Sequence, residues 1–159
     1  MSLDIAHSSA PAGKWSGLWA VRDRLDAIPL SFVSLCARLF PAAVFWQSGQ
    51  TKLEGWQVSE SAVLLFQEEY RLPVLDPYLA AHLAAVAEHL FPVLLVLGLA
   101  TRLSAAALLG MTLVIQFLVY PDAWPTHGVW ATCFLLLIAR GPGAFSLDAL
   151  LARRLGCAH

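Results

Sequence analysis

Charge is scarce in this chain. Only 13% of its 159 residues are Asp, Glu, Lys or Arg, whereas 58% are hydrophobic. A soluble domain has about 25% charged residues, so too little polar surface remains here for a water-soluble fold. With a formal net charge of −1 and no basic run, nothing in the sequence suits nucleic acid. The chain has three cysteines, Cys36, Cys133 and Cys157, with no C-x-x-C pair among them. By helical rise, Cys36 and Cys133 fall about 13 Å apart in depth, beyond the ~7 Å limit for a disulfide, which argues against a dithiol oxidoreductase. A Gly-rich phosphate loop, an H-E-x-x-H motif, a nucleophile elbow and a His pair placed for haem are also missing. Redox chemistry would therefore need a quinone or a partner protein.

Apolar runs dominate what is present. Leu30–Gly49, Leu79–Ala100 and Leu103–Tyr120 are each close to spanning length, and a shorter run, Gly128–Ala139, can be extended by Ala123 and Trp124. At ~1.5 Å per residue, about 20 residues cross a ~30 Å hydrocarbon core. The expectation is an all-α protein: a transmembrane four-helix bundle at residues 30–140 with amphipathic surface helices at both ends.

In the 1–29 segment Leu18, Val21, Leu25 and Ile28 recur at helical spacing beside Arg22, Asp23 and Arg24, which predicts a surface helix. Its charges interrupt any signal-peptide core. In the 141–159 segment Ser146 is placed to cap a second surface helix with Arg153 and Arg154 near lipid phosphates. Lys14, Arg22, Arg24, Arg102, Arg140, Arg153 and Arg154 would lie on one side, and only Lys52 and Arg71 on the other. This bias puts both termini in the cytoplasm. Between the first two spans lies one long outer segment, 50–78, whose Ser-Glu-Ser start and apolar Val63–Phe66 stretch predict a short helix. Tyr120 and Trp124 suit interfacial anchors.

The candidate site residues are polar groups in apolar runs. A charge at mid-membrane costs roughly 2.5–3.5 kcal/mol even on the lenient insertion scale, so such groups face the bundle interior and find partners. Arg38 and Glu88 fall within about 4 Å of each other in depth, which predicts an Arg38–Glu88 ion pair. It can serve as a structural bracket or as a ligand or proton site. Pro41 and Pro92 free the carbonyls of Ala37 and Glu88 one turn from these charges. Arg38, Ala42, Phe45, Gly49 and Lys52 share one helical stripe, and Gln116 could join it in lining a polar path. Lys52 is expected to snorkel toward headgroups. At the outer mouth His82, Asp122 and His127 should fall within about one helix diameter, a site for a divalent metal or an external partner protein, with Glu68 and Glu69 nearby. His82 and His89 alone, two turns apart, are ~10.5 Å apart and cannot share one metal.

Arg38, Gly49 with Lys52, Glu88, the run Gly98-Leu99-Ala100-Thr101-Arg102 and the run Gly141-Pro142-Gly143-Ala144-Phe145-Ser146-Leu147-Asp148 together resemble the DoxX family of small bacterial four-helix membrane proteins. Residues 45–52 and 120–127 further resemble a subgroup encoded beside metal-stress proteins and modified cysteine-rich peptides. The resemblance implies a multi-pass protein of the bacterial inner membrane, in contact with the lipid bilayer. A related branch of the family is a membrane subunit of quinone-linked sulfur oxidation. For this chain the resemblance implies a non-catalytic or quinone-interacting accessory subunit of a membrane redox or stress-response system. The alternatives are a small-solute or metal-ion carrier and a structural anchor for a membrane or extracytoplasmic partner protein.

Overall fold

The computed structural model describes Arg22 and residues 27–156. The surface helix expected in the 1–29 segment and the thiol of Cys157 lie outside the described residues. Four long helices form the body: α1 (Leu30–Gln50), α3 (Pro77–Leu97), α4 (Thr101–Leu118) and α5 (Trp124–Arg140). Each packs against two others, α1 and α4 both touching α3 and α5, so the four close into a ring. Three of them, α1, α3 and α4, are long and apolar enough to cross a membrane. The 17 residues of α5 rise only ~25 Å, slightly under the hydrocarbon thickness.

Between α1 and α3 the chain makes an antiparallel hairpin, β1 (Leu53–Glu54) with β2 (Gln57–Val58), Leu53 opposite Val58. The sequence reading missed it, because two-residue strands carry no periodic signal. The short helix expected next is α2 (Glu60–Leu65), capped by Ser59, whose Oγ accepts from the Ala62 amide at 3.2 Å. It runs into a π-helical turn, Phe66–Tyr70, closed by Arg71 at φ 42°. Ala62 and Phe66 are buried, and Phe66 packs with Ala80 and Ala81 of α3.

Helix boundaries follow local chemistry. Asp76 caps α3 by accepting from the Leu79 amide at 3.1 Å, with Pro77 in the first turn where its missing N–H costs nothing. At the other end Gly98 turns left-handed at φ 66°, its amide bonding to Leu95 O and the Leu99 amide to Leu94 O. This 6→1 and 5→2 pair ends the helix at Leu97, three residues before the expected Ala100. Pro41 and Pro92 sit inside continuous helices and are buried. The C-terminal helix α6 (Leu147–Arg154) begins where expected, with Ser146 Oγ accepting from the Ala149 amide at 3.1 Å.

The core is Ala37, Ala42, Phe45, Leu95, Ala105, Leu108, Phe134 and Leu137. Small residues at the contacts let helices approach closely, the packing mode of helices in lipid. Phe40, Leu103, Phe117, Val86 and Leu135 point outward, an apolar exterior that matches a bilayer environment and would be costly in water.

Candidate functional site

The stripe Arg38, Ala42, Phe45, Gly49 and Lys52 is buried along its whole length. Its two charges serve opposite ends of the bundle. The expected Arg38–Glu88 pair is absent from the structure: Glu88 is paired with Lys52, Nζ to Oε2 2.7 Å. Helix side chains lean toward their own N-terminus. Because α1 and α3 are antiparallel, with Gly49 beside Glu88 and His89 and Arg38 against Leu95, Arg38 and Glu88 lean apart. Depth along the helix axis alone had matched them. Lys52 leans back along α1 into the bundle instead of snorkelling outward, and is as buried as Glu88.

Arg38, fully buried, belongs to a structural knot at the far end. Its Nη1 donates to Leu95 O at 3.3 Å and its Nη2 donates to Phe145 O, placing positive charge at the carbonyl end of α3. Asp148 accepts from the amides of Ala100 and Thr101 at 2.8 and 2.9 Å, capping α4, while its own amide donates to Gly98 O. The runs 98–102 and 141–148 thus hold each other. Gly98 is required twice, for its positive φ and because a Cβ would lie 2.1 Å from Arg38 Nη1.

The Glu88 end is different, because cavities meet there. Lys52 Nζ also donates to Ser48 O at 3.3 Å and Ser48 Oγ at 3.1 Å, and Ser48 Oγ donates to Glu88 Oε1 at 3.3 Å. Two ammonium protons are thereby directed at Ser48, and the charge lies against Glu88. The approach to Oε2 is off the line of a hydrogen bond, so this oxygen has an ionic partner but no aligned donor. Glu88 lines two cavities. One, of about 240 Å³, is apolar, walled by Leu83, Ala84, Ala87, Met111, Val114 and Ile115. The other, of about 260 Å³, carries polar groups: Ser48, Tyr70, Tyr120, His127 and Trp130. Tyr70 and Ile115 also line both.

At the rim of this cavity Tyr70 lies edge-on to Tyr120, ring centroids 5.9 Å apart, and the Tyr120 hydroxyl donates to the Glu69 carboxylate. That bond, ahead of burial, pushes the Tyr120 phenol above its ordinary range. Burial first, then the Glu88 charge, pushes Tyr70 up. Both therefore remain protonated donors at neutral pH.

Gln116 does not touch Glu88. Its Nε2 donates to Pro121 O at 2.6 Å, and its Oε1 faces His127 Nδ1 at 2.7 Å. His82 is elsewhere: its Nδ1 bonds to Tyr78 O at 2.8 Å, and its ring lines a separate open groove with Trp46, Trp56 and His89. Asp122 is exposed in the 3-10 turn Pro121–Ala123. The expected His82–Asp122–His127 cluster is therefore not assembled, because His82 and His127 face different cavities. Among the described residues no group of three or more His, Cys, Asp or Glu could hold a metal ion. Cys36 and Cys133 are free thiols.

The sequence reading missed Ser48, Tyr70 and Trp130 as cavity residues. Ser48 had a signal, the i, i+4 spacing to Lys52; Tyr70 had none, since it enters through the π-helical turn.

Apolar helices closing around a buried ion pair define a helical membrane protein with an internal polar site. The DoxX family model matches residues 33–121, more than half the chain, and the protein belongs to the DoxX family. It is similar to an uncharacterized protein of Haemophilus influenzae, 28% identical over 129 residues, which cover 75% of this chain and 83% of that relative. No solved structure matches.

Proposed function

We propose that this DoxX protein is a non-catalytic membrane subunit of a redox or stress-response system that binds the headgroup of a quinone-type lipid in the Glu88 cavity. The observation that carries the reading is the position of Glu88: a mid-helix carboxylate, neutralised by Lys52 at 2.7 Å, where a polar and an apolar cavity meet. Such a junction fits a compact polar ring with a hydrocarbon tail. Each cavity alone falls below the ~300–1,000 Å³ of pockets that enclose a drug-sized ligand, so a ring in one and the start of a tail in the other is the economical occupancy. An intramembrane ionisable group is also by default a candidate functional site. In this reading α5 is the fourth crossing, both termini are cytoplasmic, and the Glu88 cavity opens toward the outer leaflet of the inner membrane. Glu88, Ser48, Tyr70 and His127 contact the headgroup; Gln116 acts through His127; Arg38 holds the opposite end together.

Native mass spectrometry of the protein released from gentle detergent tests it. The wild type should carry a quinone, and a Lys52→Met, Glu88→Met double variant, which replaces the buried pair by apolar groups of similar length, should fold and carry none. A wild type free of quinone, or a double variant that retains it, would overturn the reading. Retention of a metal ion instead would favour the carrier alternative.

A further inference from the structure

We propose that the open groove between α1, α3 and the hairpin binds a phospholipid whose headgroup carries a primary ammonium. This site lies apart from the Glu88 cavity and stands independently of it. The groove has a volume of about 930 Å³. Its walls are aromatic: Trp46 on α1, Tyr78, His82 and His89 on α3, and Trp56 in the hairpin turn. Trp46 stands edge-on to His89 with ring centroids 4.9 Å apart, and Tyr78 leans over His82 at 4.2 Å. Trp56 is 99% exposed, so nearly its whole ring is open to a ligand. The faces of such rings attract a cation. Trp46 and Val93 also line a second, apolar groove that continues between α1 and α3 past Ala43 and Val96 to Leu97. From Tyr78 to Leu97 the two grooves run about 28 Å along α3, more than the ~20–22 Å of one leaflet with its headgroup region. A tailless ammonium compound would leave the second groove empty; a phospholipid fills both.

Charge decides which headgroup fits. No Lys or Arg lines the groove, and Lys52, next to the groove residue Leu53, is turned inside the bundle against Glu88. The other charged residues beside its lining are acidic: Glu54 lies directly across the hairpin from the groove residue Gln57, and Asp76 caps α3 two residues before Tyr78. An anionic headgroup would find no counter-charge here, whereas an ammonium meets aromatic faces and nearby carboxylates. His82 adds an acceptor. Tyr78 O can only accept, so His82 Nδ1, 2.8 Å away, carries the proton, and in the neutral ring Nε2 is left an acceptor with no partner among the described residues. A primary ammonium can donate to it and a trimethylammonium cannot. The groove has neutral donors as well, the Trp46 and Trp56 indoles, the Tyr78 phenol and the Gln57 amide. These suit the phosphate diester that all the candidate lipids share, and so do not select among them.

The probes are dioleoyl phosphatidylethanolamine, phosphatidylcholine and phosphatidylglycerol, each titrated at mildly alkaline pH into the full chain stripped of co-purified lipid in detergent, with Kd read from lipid adducts in native mass spectra. The ethanolamine lipid should bind at least about fivefold more tightly than the glycerol lipid, with the choline lipid between them. Trp56→Ala should weaken ethanolamine-lipid binding several-fold, and Glu54→Gln should narrow its lead over the glycerol lipid; both side chains are exposed, so neither change threatens the fold. His82→Phe, which keeps a ring and removes the acceptor, should erase the lead over the choline lipid. Equal or tighter binding of the anionic lipid, or a preference unchanged in the Trp56→Ala, Glu54→Gln double variant, would overturn the inference. So would a choline lipid bound as tightly as the ethanolamine lipid by the wild type, a lead over it that survives His82→Phe, or no lipid retained at all. The quinone site is tested separately, since Lys52 and Glu88 are intact throughout.

Discussion

Removing Lys52 should strand a carboxylate inside the bundle, and the identity of its partner is what separates the observed pairing from the one suggested by helix depth. The side chains of Lys52 and Glu88 are 5% and 4% exposed and their charges are 2.7 Å apart. Breaking a buried pair by deleting one partner costs about 3–5 kcal/mol, largely the cost of the uncompensated charge, whereas replacing both partners with apolar groups is often close to neutral. Lys52→Met alone should therefore destabilise by several kcal/mol, and adding Glu88→Met should recover most of it. Arg38 makes its bonds to Leu95 O and Phe145 O. Arg38→Met and Glu88→Met should accordingly add to within ~0.5 kcal/mol, as independent sites do. Both cycles can be run as reversible unfolding in mixed micelles, monitored by circular dichroism. A Lys52–Glu88 coupling below ~0.5 kcal/mol, or an equal coupling between Arg38 and Glu88, would refute the reasoning.

Gly98→Ala should cost more than the ~1 kcal/mol of an ordinary glycine substitution, since it meets both a positive φ and the Arg38 guanidinium; a lowered melting temperature measures it. Asp148→Ala removes the acceptor of two amides at the start of α4 and should cost about 0.5–2 kcal/mol; hydrogen exchange should then rise first at Ala100 and Thr101. For Tyr120, raised by its bond to Glu69, the stabilisation is full below the ordinary tyrosine pKa of about 10 and is lost as pH climbs through the raised folded value. Alkaline melts should therefore drop more steeply with pH in the wild type than in Tyr120→Phe; parallel curves would count against the Glu69 contact.

The helices were legible because length and hydropathy alone dictate them: Leu30–Gly49 was expected where Leu30–Gln50 is found, and Ser59 and Ser146 cap the helices their positions announced. The short run at Gly128–Ala139 grew to Trp124–Arg140 because Pro125 is tolerated in a first turn. Site residues were harder. Arg38, Glu88 and Lys52 were recognisable as charges in apolar surroundings, but their partners depend on the direction in which each side chain leans. His82 and His127 were matched by level in the membrane, while helix rotation turns them to separate cavities. Tyr70 reaches Glu88's cavities through a π-helical turn that no hydrophobic period marks. The motif runs 98–102 and 141–148 carried the family likeness, and structurally they tie the Arg38 end rather than build the cavity.

Photolabelling with an azido-quinone, followed by peptide mapping, tests the central claim most directly, because two places on the molecule compete for the probe. The Glu88 cavity predicts label on segments containing Tyr70, Glu88 or His127, protected by an excess of unlabelled short-chain quinone and absent from the Lys52→Met, Glu88→Met variant. Label confined to the open groove of Trp46, Trp56, His82 and His89, or spread along the lipid-facing residues without protection, would contradict it.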